Sequence, residues 1–513
     1  MIWFVSILPL PILVAVLARL VPSRVRRLGA GYALAASLAL VAALIILPQS
    51  AGWPVKARYH LLSDTPLYVR LAVDGLTATA ATALLLVAAW DVLVRQVDGS
   101  PSNDVIALVV TSALLVFMSA NALTLLLSWS GFGLLRAILA ANDRDARSRP
   151  VIASELGSLT ALLAAMQPLG LAGLSAPTLT GEAPAMTGWL VLVACALRMG
   201  IYPLQAGGAQ RIHVRLASTL TGLYLLLRTA PAVGVAPLAF VLLATVVGAV
   251  AFRSEAVRDE WPWLLQHAIL LGALAATLGS AGGLPGLALF VCVSLCQPAL
   301  LRLQEEHAHP WDLMALLALG GMVPTVGWAA WTRLLGPASL LGPRWAPLLL
   351  GCSFALCAWV LGHGLRQRWA SGEVVWRRLL RWQDAWRSLP ALAVILLGVW
   401  PNAVGLSGQA PPWQVLEAAP EPSSVGVTWP LALGIAVLTT ISFGLGWLRP
   451  TERADERPAT AEGGVTQAVR ASLDSIERIR KAIADVDITL RDHATLAWTA
   501  LAATALLLWL RGR

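Results

Sequence analysis

The sequence predicts an all-α, polytopic membrane protein of about sixteen spanning helices. They form two inverted five-helix repeats around two broken spans, with a cytoplasmic amphipathic lateral helix near the end. Three observations predict this. Apolar residues make up 58% of the chain and charged residues only 13%, where a soluble domain carries roughly 25% charge. Apolar runs of the roughly 20 residues needed to cross a bilayer recur from end to end. Two of those runs are interrupted by proline and glycine, and a broken helix leaves backbone groups that lipid cannot satisfy, so it must face protein or a watery cavity.

The first two spans cover 2–21 and 28–47. Met1 leads straight into the first, with no basic flank or cleavage site, which reads as a retained helix rather than a signal peptide. A polar loop with Lys56, Arg58 and His60 follows. The third span begins near Arg70, contains Asp74-Gly75-Leu76 and ends around Val94; the fourth covers 104–119. The fifth, 122–141, contains Ser128-Trp129-Ser130 and Arg136, and a loop with Asp143, Arg144, Asp145, Arg147 and Arg149 leads to the sixth at 151–172. The seventh to eleventh fall at 188–210, 213–231, 236–252, 263–281 and 284–303, and the twelfth at 312–335. The thirteenth, 345–364, precedes a basic loop; then come 389–406, 428–447 and a last span at 494–510.

Between the last two spans the chain is charged. Val469, Leu473, Ile476, Ile479, Ile483, Val486 and Leu490 recur every three or four residues, which predicts an amphipathic helix of about 28 residues, about 40 Å long. Its mixed charge fits a brace on the protein's own cytoplasmic face, or on a neighbouring subunit, better than a lipid-bound helix. The chain thus divides into N-terminal helices with an outer loop (1–69), a core (70–340), C-terminal helices (341–448), linker and lateral helix (449–493) and a final span (494–513).

The seventh span is the most informative stretch. An apolar run carries Arg198, followed by Pro203 and the pair Gly207 and Gly208. The twelfth span repeats the theme at Pro324-Thr325-Val326-Gly327. A charge beside a broken intramembrane helix is a transporter-like feature; a kinked bundle helix with a snorkelling arginine is the other reading. The remaining interior candidates for an ion path are Arg136, Glu155, His267 and Arg333. Arg333 sits near a span end, where snorkelling explains it, as it does Arg302. Arg136 is expected to reach the inner surface near Asp143, Glu155 to pair with Arg147 or Arg149, and His267 to be a satisfied core histidine. Asp74 reads as structural, near a helix start.

Placing the N-terminus outside leaves about 27 Arg and Lys inside and about 7 outside, which puts both termini on the outer side of a bacterial inner membrane. The net charge of +9 follows from basic inner loops and needs no nucleic acid. The cysteines Cys195, Cys292, Cys296, Cys352 and Cys357 lie in apolar runs without a Cys-x-x-Cys pair, so neither a metal site nor a disulfide framework is expected. No cofactor is expected. Neither a Ser-His-Asp arrangement nor a phosphate-cradling loop is present, which argues against a soluble-type enzyme.

The breaks also carry a resemblance. Leu197-Arg198-Met199-Gly200-Ile201-Tyr202-Pro203-Leu204-Gln205 resembles a G-K-S-A-Q-x-P-L-Q stretch, and Gly320-Gly321-Met322-Val323-Pro324-Thr325-Val326-Gly327 resembles G-G-L-P-P-T-x-G. Asp74-Gly75-Leu76 is similar to a D-G-L motif and Leu126-Leu127-Ser128-Trp129-Ser130-Gly131 to L-x-x-W-E-G. These are motifs of the antiporter-like membrane subunits (L, M and N) of respiratory complex I, of Mrp cation/proton antiporters and of membrane-bound hydrogenases. The resemblance covers most of 70–340. It implies a membrane-arm subunit working with other membrane and peripheral subunits in the lipid bilayer, a non-catalytic part of a proton-translocating oxidoreductase.

The departures bear on mechanism. The family's glutamate after the tryptophan is Ser130 here, its seventh-span lysine is Arg198, its eighth-span histidine has only His213 and Val214 nearby, and later lysines align near Pro298 and with Trp331. Arginine stays protonated with a pKa above about 12, and Ser130, Pro298 and Trp331 carry no charge. The resemblance therefore implies either a subunit coupling redox chemistry to proton or cation translocation or a degenerate, non-pumping member. A second hypothesis is the membrane subunit of a two-component inorganic-carbon (bicarbonate or CO2) uptake system.

Overall fold

In a bilayer every backbone N–H and C=O must find a partner inside the protein, and the helix does this within one segment. The computed structural model describes residues 8–20, 23–46, 55–60, 68–98, 103–142, 148–169, 185–201, 212–229, 261–279, 283–305, 310–341, 345–370, 389–399 and 429–448. These residues form fifteen α-helices and one two-stranded hairpin. In chain order the helices begin with α1 (Leu10–Leu20) and α2 (Ser23–Ile46), then α3 (Gly75–Asp98), α4 (Asn103–Met118), α5 (Ala122–Asn142) and α6 (Ser148–Met166). They continue with α7 (Ala185–Met199), α8 (Ile212–Thr229), α9 (Trp261–Thr277), α10 (Gly283–Glu305), α11 (Pro310–Leu319) and α12 (Val326–Leu341). The last three are α13 (Ala346–Ala370), α14 (Leu389–Val399) and α15 (Trp429–Leu448). Among the described residues three segments, Gly75–Val94, Ala122–Ala141 and Ala346–Arg366, are long and apolar enough to cross a membrane by length and composition.

The expected ninth span (236–252), the lateral helix and the final span lie outside the described residues, as do Pro203, Gly207 and Gly208. One expectation needs correction. The stretch 55–60 is a strand rather than a polar loop, and Arg70 lies on a strand rather than in the third helix. Strands β1 (Val55–His60) and β2 (Tyr68–Val73) pair antiparallel, Val55 opposite Val73 and His60 opposite Tyr68. The period-two alternation of Lys56, Arg58 and His60 with Val55, Ala57 and Tyr59 is a strand signature, and α3 starts only at Gly75.

Helix α8 is the axis of the bundle. It packs against α3, α4, α7, α9 and α10, and its residues from Leu216 to Leu227 are buried on every side, as a helix apolar all round must be. Its far end is tied by a polar knot. Asp74 caps α3, accepting from the Thr77 backbone N–H at 2.9 Å, the N-cap role that satisfies an orphan donor. Its second oxygen takes Arg228 of α8 at 2.5 Å, while the Tyr224 hydroxyl donates to the Phe117 carbonyl on α4.

The helical breaks are built alike. Gly200 and Gly321 both adopt left-handed φ, +66° and +65°. In each, the next residue's N–H reaches back five residues (Ile201 to Ala196, Met322 to Leu317) and the glycine's reaches back three, which is the Schellman closure that occupies orphan carbonyls. After the second break Thr325 caps α12, its hydroxyl facing the Trp328 N–H at 3.4 Å. Pro324 therefore lies in the break, whereas Gly327 sits in the first turn of α12 against the Ala318 carbonyl. The backbone of Pro324 and Thr325 packs on Gly398 of α14 on one side, while Val323 and Pro324 are exposed on the other.

The Asp74–Arg228 pair makes a test of this architecture. Asp74→Asn keeps a capping acceptor but leaves a buried guanidinium unpaired. It is expected to cost about 3–5 kcal/mol, read as a lowered thermal midpoint in detergent, with part of the loss recovered when Arg228→Gln is added.

Candidate functional site

Four helices converge on the end of α7. On α5, Trp129, Phe132, Gly133 and Arg136 recur at the spacing that puts them on one face. Helix α6 contributes Ser154, Glu155 and Ser158, α7 contributes Arg198 in its last turn, and α8 contributes Ser218. Arg136, Glu155 and Arg198 are 4%, 6% and 1% exposed, so these charges are removed from the surface.

Glu155 joins the two cations. Its Oε1 takes Arg136 Nη1 at 2.5 Å and its Oε2 takes Arg198 Nη2 at 3.0 Å. Arg136 Nη1 also donates to the Ser218 hydroxyl at 2.7 Å and the Arg198 carbonyl at 3.2 Å. Arg198 Nη2 donates to the Trp129 carbonyl at 3.0 Å, and its guanidinium lies 4.0 Å from the Trp129 ring centroid and 5.1 Å from that of Phe132. The position is favourable for a cation because the α7 carbonyls point there. Those carbonyls are also occupied: Ser154 donates to Leu197, Ser218 to Arg198 and Gln266 Nε2 to Gly200. Gly133 makes the room, since a Cβ there would come within 2.8 Å of Glu155 Oε2 and 3.3 Å of Arg198 Nη2.

The structure thus brings together three of the residues singled out in the sequence, with two corrections. Arg136 turns into the bundle instead of reaching the inner surface near Asp143. Glu155 pairs with Arg136 and Arg198 instead of with Arg147 or Arg149, because α5 and α7 flank α6 and present the cations to its buried face. His267 belongs to a different group. Its Nε2 is 2.5 Å from the Ser353 hydroxyl on α13, and its ring meets the Trp331 ring edge-on at 5.6 Å. Trp331 stacks on Phe354, centroids 4.2 Å apart and planes 11° apart. Arg333, two residues on, is half-buried.

Sequence reasoning missed a buried acid–imidazole pair. Asp91 on α3 and His213 on α8 lie 3.1 Å apart, 2% and 3% exposed. A lone aspartate in the apolar run after Gly75 is itself the signal that could have found it, since an intramembrane charge marks a functional candidate. The Ser218 and Gln266 roles carry no such signal, because both serve carbonyls freed by the end of another helix. Among the described residues no cluster of His, Cys, Asp or Glu could hold a metal ion.

Neither a family model nor a curated protein matches the sequence. Solved structures do match. A chain of the Mrp complex from Dietzia sp. DQ12-45-1b aligns over 98% of this chain with TM-score 0.68 and 16% identity; this chain spans 63% of that one's length. A chain of respiratory complex I from Thermus thermophilus aligns with TM-score 0.63 and 19% identity, covering 85% of this chain and 99% of that one. The membrane-bound sulfane sulfur reductase, an archaeal respiratory membrane complex, gives TM-score 0.64 and 15% identity, covering 99% of each chain. The chain shares its fold with these chains.

Gly133→Ala tests the packing of the charged centre. Displacing the carboxylate is expected to cost about 1–3 kcal/mol, the usual scale of overpacking. Gly131→Ala, two residues away with nothing within 4 Å of its Cβ position, is expected to leave the thermal midpoint unchanged.

Proposed function

We propose that this chain is a membrane-arm subunit of a multi-subunit complex that couples redox chemistry to proton or cation translocation, and that its first helical half supplies a live charged centre while its second half is sealed. In this reading about sixteen spans form two inverted five-helix repeats, with the lateral helix bracing neighbouring subunits on the cytoplasmic side and both termini outside. The observation that carries the proposal is the buried Arg136–Glu155–Arg198 centre beside the glycine-capped end of α7. Buried charge in a spanning bundle is expensive and marks an ion pathway by default. Glu155 is the carboxylate of the triad and bridges its two guanidinium groups.

The sealing of the second half rests on apolar contacts. Trp331 fills the space over Gly321, where a Cβ would meet its ring, and stacks on Phe354. Pro298 inside α10 offers no titratable group. His267 is itself enclosed by the rings of Trp331 and Phe354, so in this reading a relay reaching it goes no further, and this subunit passes charge displacement rather than carrying a complete path of its own.

Ion flux in proteoliposomes holding the purified complex tests this. Glu155→Gln is expected to lower flux at least roughly tenfold, about 1.4 kcal/mol of lost stabilisation, with assembly intact, while Arg198→Lys retains it and Arg198→Ala does not. Wild-type flux in both Glu155→Gln and Arg198→Ala would reduce the chain to a spacer.

A further inference from the structure

The charged centre does not balance. Among the described residues Arg136 and Arg198 share the carboxylate of Glu155, and a third arginine, Arg215 on α8, lies one helical turn before the Ser218 that Arg136 contacts. Three guanidinium groups against one carboxylate leave a formal charge of +2. Counting Asp91, which is held by His213, still leaves +1 with a neutral imidazole. The other nearby acid and base of these helices cancel, because Arg228 is taken by Asp74.

Along α7 and α8 the sequence supplies no further acid. From Ala183 to Ser254 there is neither Asp nor Glu, while Arg198, Arg211, Arg215, Arg228 and Arg253 all fall in that stretch. Helix α5 has no acid, and α6 has only Glu155. Deprotonation is no escape either, since arginine holds its proton at any working pH. An uncompensated buried charge costs several kcal/mol. Arg198 shows where compensation is wanting: 1% exposed, its Nε and Nη1 groups have no acceptor among the described residues. The aromatic faces of Trp129 and Phe132 and the α7 carbonyls ease the cost but accept none of these N–H groups.

We propose that the centre binds a small monovalent inorganic anion, accepted by the free Arg198 N–H groups and held in the field of Arg136 and Arg215. Guanidinium donors suit both a halide and a planar oxyanion such as hydrogen carbonate. The site goes beyond the translocation reading and stands or falls without it: an anion bound here neutralises the cluster whether or not an ion crosses the subunit.

The test is thermal unfolding of the purified full-length chain in detergent at fixed pH and ionic strength, with sodium gluconate replaced stepwise by chloride, bromide or hydrogen carbonate. A ligand that binds only the folded state raises the midpoint in a saturable way. Wild type is expected to show such a rise. In Arg215→Gln, a half-buried position, the apparent Kd is expected to increase roughly tenfold, and in Glu155→Gln, which removes the competing carboxylate, to decrease by about the same factor. Saturation at a lower concentration of hydrogen carbonate than of halide assigns an oxyanion site, and the reverse order a halide site. Equal midpoints in gluconate and in all three anions, or the same response in wild type and both variants, overturn the proposal.

Discussion

Glu155 places one carboxylate between two guanidinium groups in the buried interior of the bundle, and the geometry of four helices follows from that contact. Arg136 and Arg198 come from α5 and α7, so α6 must lie between them with its Glu155 face inward. Gly133 lets α5 approach, Ser154 and Ser158 of α6 donate to carbonyls of α7, and Trp129 Nε1 donates to Ser158 at 3.1 Å. In low dielectric these contacts are strong when complete and costly when broken.

The end of α7 explains why the centre lies where it does. A Schellman closure at Gly200 exposes the last carbonyls of α7 inside the protein, and side chains of four other helices satisfy them. A cation belongs at such a terminus. The second break, at Gly321, has the same closure but a different content: Trp331 packs over Gly321, backed by the rings of Phe354 and His267. Two locally similar helix ends thus carry opposite electrostatics, one charged and one apolar.

Much of this was legible in the sequence, and the limits have physical reasons. The spans follow from hydropathy, and Arg198 stands out because charge in an apolar run is rare. The second break was legible at Pro324-Thr325-Val326-Gly327, whereas its closure at Gly321 is a finding of the structure. The partner of Arg198 was not legible. Glu155 lies 43 positions earlier, near a basic loop that offered Arg147 and Arg149 as closer candidates in sequence, and only helix packing brings α5 and α7 to its face. The hairpin was hidden because its alternating polar residues read as loop. Asp91 was visible but sits in a run otherwise suited to a plain span.

A double-mutant cycle on Glu155→Gln and Arg198→Gln, with stability measured by reversible unfolding in mixed micelles, tests most directly whether the two form one charged centre. The account predicts a coupling energy of about 1–3 kcal/mol, the double variant being less destabilised than the sum of the singles. Additivity within about 0.5 kcal/mol would mean that the carboxylate and the guanidinium act independently, and would contradict it.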